Sequence, residues 1–252
     1  MVSNVDVINI MAKCFVIPED REWEQISSQR IWPDFLTTLK TMLSEGITAE
    51  VCWRPFQQEA ALQDYLNHEE ISALFSPPSY LELEAFSRRH FIGGMPTSAM
   101  PVESLHHTPT AAQRLSANPV ALTSSAEKPS FNSEVALYMR DLISSLGLTS
   151  SDLSNSYPDH LSIELEVLSY LVEQKSRAQA ELYLVERFAW LTTYRQRLLA
   201  LGQEARFHLA IVDALLDIRA LALNTDEERT SMPACMPDNK GGERTLTEKA
   251  IA

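Results

Sequence analysis

The sequence predicts an all-α protein, a helical bundle in two halves joined by a long Pro/Ser-rich hinge. Three observations carry this. Only seven glycines occur in 252 residues, too few for a fold built on hairpins and Gly-rich loops. Apolar residues recur three and four apart, the spacing of a helix with one buried face, while strict alternation is scarce. Between residues 93 and 133, Pro96, Pro101, Pro109, Pro119 and Pro129 stand among Ser, Thr and Ala, where regular helix cannot persist. The chain therefore divides into a helical part over 1–92, a linker or hinge over 93–133, a helical part over 134–223, and a tail over 224–252. The tail has almost no apolar periodicity and is expected to be disordered.

Taken in order, "PDFLTTLKTMLSEG" places Phe35, Leu36, Leu39, Met42 and Leu43 on one side, with Pro33 near its start and Gly46 at its end. "RPFQQEAALQDYLNHEEISALFSPP" reads as one or two helices stopped by Pro77 and Pro78, and "SYLELEAFSRRHF" follows as another. Beyond the linker, "SEVALYMRDLISSLGL" presents Val135, Tyr138, Met139, Leu142 and Ile143 as a stripe closed by Gly147. The apolar stretch after Pro158, then "RAQAELYLVERFAWLTTYRQRLLALG" and "ARFHLAIVDALLDIRALAL", complete four segments sufficient for a bundle core.

Composition narrows the function. Lys and Arg total 21 against 34 Asp and Glu, a net charge of −13, which repels phosphate backbones and anionic lipid and favours basic partners. Cys14, Cys52 and Cys235 are far apart and form no CxxC pair, so neither a disulfide framework nor a structural zinc site is expected. No apolar run approaches the ~20 residues that span a bilayer. The opening "MVSNVDVINIMAKC" has no basic segment followed by a hydrophobic one. A cytoplasmic protein without stable membrane insertion is expected, with no cofactor and no metal.

The stretch "SYPDHLSIELEVLSYLVEQ", residues 156–174, concentrates the candidate chemistry. His160 and Glu164 share a helical face, and His106-His107 lie in the linker, but His160 has no helical histidine partner of the HExxH kind. Ser156, Asp159 and His160 cannot form a catalytic triad, because neighbours at a helix start point in different directions and no GxSxG elbow is present. Glu164 and Glu166, two apart, face opposite sides and are no natural acid/base couple; one of them should face solvent or a partner. The plain reading is a helix N-terminus, with Pro158 in the first turn and Asp159 against the unpaired N–H groups. That reading leaves His160 and the "ELE" inside an apolar segment unexplained.

Those residues resemble a known family. "YPDHLSIELEVLSYL" is similar to the signature of the TorD/DmsD redox-enzyme maturation chaperones, Glu-Pro-x-Asp-His followed by x-x-x-E-L-E-F-L. Pro158 fills the variable position, Asp159 and His160 the last two, and Glu164 to Leu168 continue the match. "RRHFIGGMPTSAMPVESLHH" resembles the family's linker, with Phe91, Gly93, Pro101, Glu103 and Ser104 aligned, and "ALFSPPSYLEL" and "YMRDLISSLGL" resemble its flanking elements. The likeness covers roughly residues 62–222. Ser156 and Tyr157 replace the Glu-Pro, and Val102 stands where Trp is usual.

The resemblance implies a TorD-like, two-part helical fold and no catalytic activity; a hinge of this length allows a monomer or a domain-swapped dimer. The resemblance also implies a partner, the twin-arginine signal peptide and apo-form of a molybdopterin oxidoreductase, held in the cytoplasm until cofactor insertion and Tat export. Acidic groups beside an apolar groove suit a peptide that is basic at one end and apolar in its middle. The linker bearing Pro101, Glu103 and Ser104 is expected to fold back on the helix start at Pro158, Asp159 and His160. There Asp159, Glu103 and Glu166 would meet arginines, Tyr157 would cover the apolar part, and His160 would donate a hydrogen bond to the linker and titrate near neutral pH. The alternative is a helical adaptor or regulatory protein of the same fold that does not bind signal peptides.

Overall fold

The computed structural model describes residues 2–48, 71–92, 98–106, 133–148, 153, 156–174 and 176–231. They form the expected all-α fold: α1 Asn4–Lys13, α2 Asp20–Ile26, α3 Ile31–Glu45, α4 Tyr80–His90, the single turn α5 Glu103–His106, α6 Glu134–Ser145, α7 Leu161–Glu173, α8 Arg177–Arg187, α9 Leu191–Ala200 and α10 Arg206–Ser231. Residues 54–70 of the expected helical stretch 54–78, linker residues 93–97 and 107–132, and tail residues 232–252 lie outside the described residues.

Local chemistry accounts for the ends. Ser3 and Asp6 form a reciprocal capping box on α1, Ser79 and Glu82 another on α4, and Ser133 caps α6. Gly46, after α3, takes φ 96° and Gly147, after α6, φ 67°, backbone that L side chains rarely adopt. The stretch expected as one segment after Ser176 is broken by a 3-10 turn at Phe188–Trp190 into α8 and α9. The last helix continues to Ser231, past Asn224 where order was expected to stop. Extending an existing helix requires no new nucleus, so a polar sequence can follow it for a few turns.

All five apolar residues expected on α3 are buried, and they belong to one cluster that runs from Val2 to Ala222. Among the described residues the most extensive helix interface joins α1 to α7, where Val7, Ile8 and Met11 meet a helix buried along most of its length. The α1 and α2 helices were missed in the sequence, although Ser-x-x-Asp before an apolar i, i+3, i+4 pattern is a helix-start signal. In α10, Leu209 to Val212, Ala214, Leu215 and Ile218 are buried in succession, the pattern of a central helix covered on nearly all sides. On α6 the expected stripe holds at Met139 and Ile143, but Tyr138 is 48% exposed.

Two indoles fasten the 71–78 segment to this core. Trp32 Nε1 donates to Leu74 O at 2.7 Å and Trp23 Nε1 to Pro78 O at 2.8 Å. Trp23 is fully buried and meets Trp32 and Phe207 edge to face. Replacing Trp23 by Ala should therefore cost about 3–5 kcal/mol in urea unfolding, through the cavity and an orphaned carbonyl; a loss near zero would contradict this packing.

Candidate functional site: a linker turn pinned over a buried ion triad

The start of α7 and the linker segment 98–106 come together as expected, and backbone bonds do it. Glu103 N–H donates to Asp159 O at 2.9 Å and Leu161 N–H donates to Pro101 O at 2.8 Å, closing a two-residue antiparallel bridge between Val102 and His160. Ser104 N–H donates to Asp159 Oδ2 at 2.8 Å. The same segment is held by α9: Tyr194 Oη donates to Ala99 O at 3.0 Å and Arg197 Nε to Ser98 O at 3.0 Å. His106 Nε2 lies 2.9 Å from Met100 O, and its ring stacks on Trp190 at 5.6 Å.

Three expectations for the helix start are corrected. Asp159 does not cap its own helix; it serves the neighbouring turn α5 through Ser104. The N-cap of α7 is His160, whose Nδ1 accepts from Ser162 N–H at 3.2 Å, so this ring nitrogen is an acceptor and Nε2 bears the proton. Pro158 sits in the turn before the cap, not in the first helical turn. Nor does the imidazole titrate near neutrality: burial pushes its pKa down to about 4, because no charge partner offsets desolvation of the cation.

The candidate residues differ sharply in access. Asp159, Glu103, His160, Pro158 and Pro101 are buried, Ser104 and Tyr157 are half-buried, and Glu166 is exposed. Glu164 and Glu166 do face opposite ways, with Glu164 the inward one at 0% exposure.

Beneath the pinned turn lies what sequence reading did not assemble. Arg187 Nη2 donates to Glu103 Oε2 and lies 3.8 Å from Glu164 Oε1. Trp190 Nε1 donates to Glu164 Oε2 at 3.1 Å, and the Arg187 guanidinium sits over the Tyr138 ring, 5.0 Å from its centroid. Two carboxyls thus share one cation. Burial, and then the Glu103 charge, hold the Glu164 carboxyl well above the ordinary carboxylate range, which favours its neutral form and leaves Glu103 and Arg187 to balance each other. The usable signal was the acidic residue within the apolar "IELEVL": a carboxyl there needs a donor, and "YLVERFAW" supplies both Arg187 and Trp190 one helix later.

A family match places this all-α bundle in the class of helical chaperones of molybdoenzyme maturation. Within that class, the model of the family described as nitrate reductase delta subunit matches residues 56–203, more than half of the chain, and the chain belongs to that family. No curated protein and no solved structure matches it. Among the described residues no helix is long and apolar enough to cross a membrane.

The low His160 pKa has a signed consequence. The unfolded imidazole takes up its proton near pH 6.5 and the folded one only near 4, so the folded state gains nothing from protonation across that window. Stability from this group is present above pH 6.5 and falls as pH drops, by about 2 kcal/mol between pH 7 and 5. His160→Asn, which retains an N-cap acceptor, should reduce the pH 7 to 5 stability loss in urea titrations by that order. An unchanged pH slope in the variant would show that His160 is not buried neutral.

Proposed function

We propose that the chain is a cytoplasmic, system-specific chaperone, without catalytic activity of its own, that binds the twin-arginine signal peptide and apo-form of a molybdopterin oxidoreductase until cofactor insertion and Tat export. The observation that carries this reading is the pairing of residues 101–104 with 158–161, two segments that resemble the maturation chaperones and lie 55 residues apart at the Ser104–Asp159 bond. Their shared edge is a natural place for an extended peptide. Ser104 and Tyr157 are the parts of it that solvent reaches, Glu166 is exposed on the face of α7 opposite Glu164, and the net charge of −13 favours a basic ligand. Glu166 is the accessible carboxylate for an arginine. Asp159 acts indirectly, by holding the linker turn in place.

A second reading, an adaptor of the same fold without signal-peptide binding, is favoured by one fact: Asp159 and Glu103 are 2% and 3% exposed and are engaged inside the chain. Calorimetry of the full chain with a synthetic peptide carrying two adjacent arginines and an apolar middle separates the two. Glu166→Gln should weaken binding by roughly tenfold, the scale of one charge-assisted contact. Asp159→Asn should weaken it as well, with circular dichroism unchanged. No heat of binding to the unaltered chain selects the adaptor, whereas binding with unchanged affinity in both folded variants places the peptide site elsewhere on the chain.

A further inference from the structure

We infer that the Glu103–Glu164 carboxyl pair is a guanidinium seat which Arg187 closes from within, so that an arginine side chain from a partner enters by displacing Arg187. The partner's identity rests on the proposed function; the seat itself does not.

Three features support it. The pair already holds a guanidinium, since Arg187 bonds Glu103 and approaches Glu164, so the acceptors are spaced for that group. Arg187 fits it incompletely: one nitrogen bonds Glu103, the guanidinium stays 3.8 Å from Glu164 Oε1, and its Nε is buried without a hydrogen-bond partner. A side chain tethered on α8 reaches the seat with one nitrogen, whereas a guanidinium approaching freely can present two parallel N–H groups. Finally, the cover is thin. Arg187 is 14% exposed, and the Tyr138 ring stacked on it is 48% exposed. Rotation of these two side chains opens the seat without unpacking the core below. Because both carboxyls are buried, an outside cation that matched the fork poorly would leave a desolvated carboxylate unpaired, which selects guanidinium over ammonium.

The test uses the full chain carrying Arg187→Ala. Its melting temperature should fall, and ethylguanidinium chloride should raise it again by several degrees. Ethylammonium chloride at equal concentration should not, and adding Glu103→Gln should abolish the rise. An absent rise, or an equal rise with both salts, overturns the seat. Should the variant not fold alone, refolding yield in the two salts reads the same difference, and no guanidinium-dependent recovery overturns it.

Trp190, which donates to Glu164, reports on the unaltered chain. With 5-fluorotryptophan incorporated, its fluorine resonance should shift when the two-arginine peptide is bound and not with a two-lysine counterpart. A peptide that binds by calorimetry without that shift overturns the seat and leaves the proposed function standing. Recovery by ethylguanidinium without any peptide binding leaves the seat and removes the proposed function.

Discussion

The Asp159 peptide unit and carboxylate hold together two segments that would otherwise have little reason to meet. Segment 98–106 is short and carries Pro101, so it can complete no helix of useful length and must find partners for its backbone elsewhere. It finds them in the turn before α7: the Asp159 carbonyl takes the Glu103 N–H, its carboxylate takes the Ser104 N–H, and the Pro101 carbonyl takes the Leu161 N–H. Each neutral bond contributes only about 1 kcal/mol net, but leaving these buried groups unpaired would cost more. The position of Glu103 follows from this backbone arrangement, and so does the triad.

Once Glu103 is placed, the electrostatics beneath it are nearly forced. A carboxylate 3% exposed needs a cation, and Arg187 at the end of α8 provides it. Glu164 then meets a site whose one cation is already engaged, and it avoids a second buried negative charge by favouring its proton. The triad is therefore weak as a source of stability and strong as a register mark: it requires α7, α8 and the linker turn to sit in one relative arrangement. Removing Arg187 or Glu103 costs about 3–5 kcal/mol because it strands the other's charge.

Much of the fold was legible because helix signals are local. The stripe of α3, part of that of α6, and the glycine stops at Gly46 and Gly147 could be read directly, whereas the Ser caps, an equally local signal, were passed over. The meeting of the linker with Asp159-His160 was also legible, and rested on the family resemblance. The break at Phe188–Trp190 was not legible, since nothing in "VERFAWL" forbids helix; packing of the Phe188 and Trp190 rings into the core decides it. The roles within the site were legible only in part. Whether Asp159 caps its own helix or a turn 55 residues away depends on a tertiary contact, as does the neutrality of His160. Arg187 was invisible as a site residue because an arginine at a helix end usually faces water.

The central claim, that segment 101–104 is a structural part of the bundle fastened at the start of α7, is tested most directly by native-state amide exchange. The Glu103, Ser104 and Leu161 amides should exchange only through the same large opening that releases the core amides of α7, such as Leu165 and Leu168. Exchange of Glu103 and Ser104 at the rate of an unprotected loop, while Leu165 and Leu168 remain protected, would contradict it.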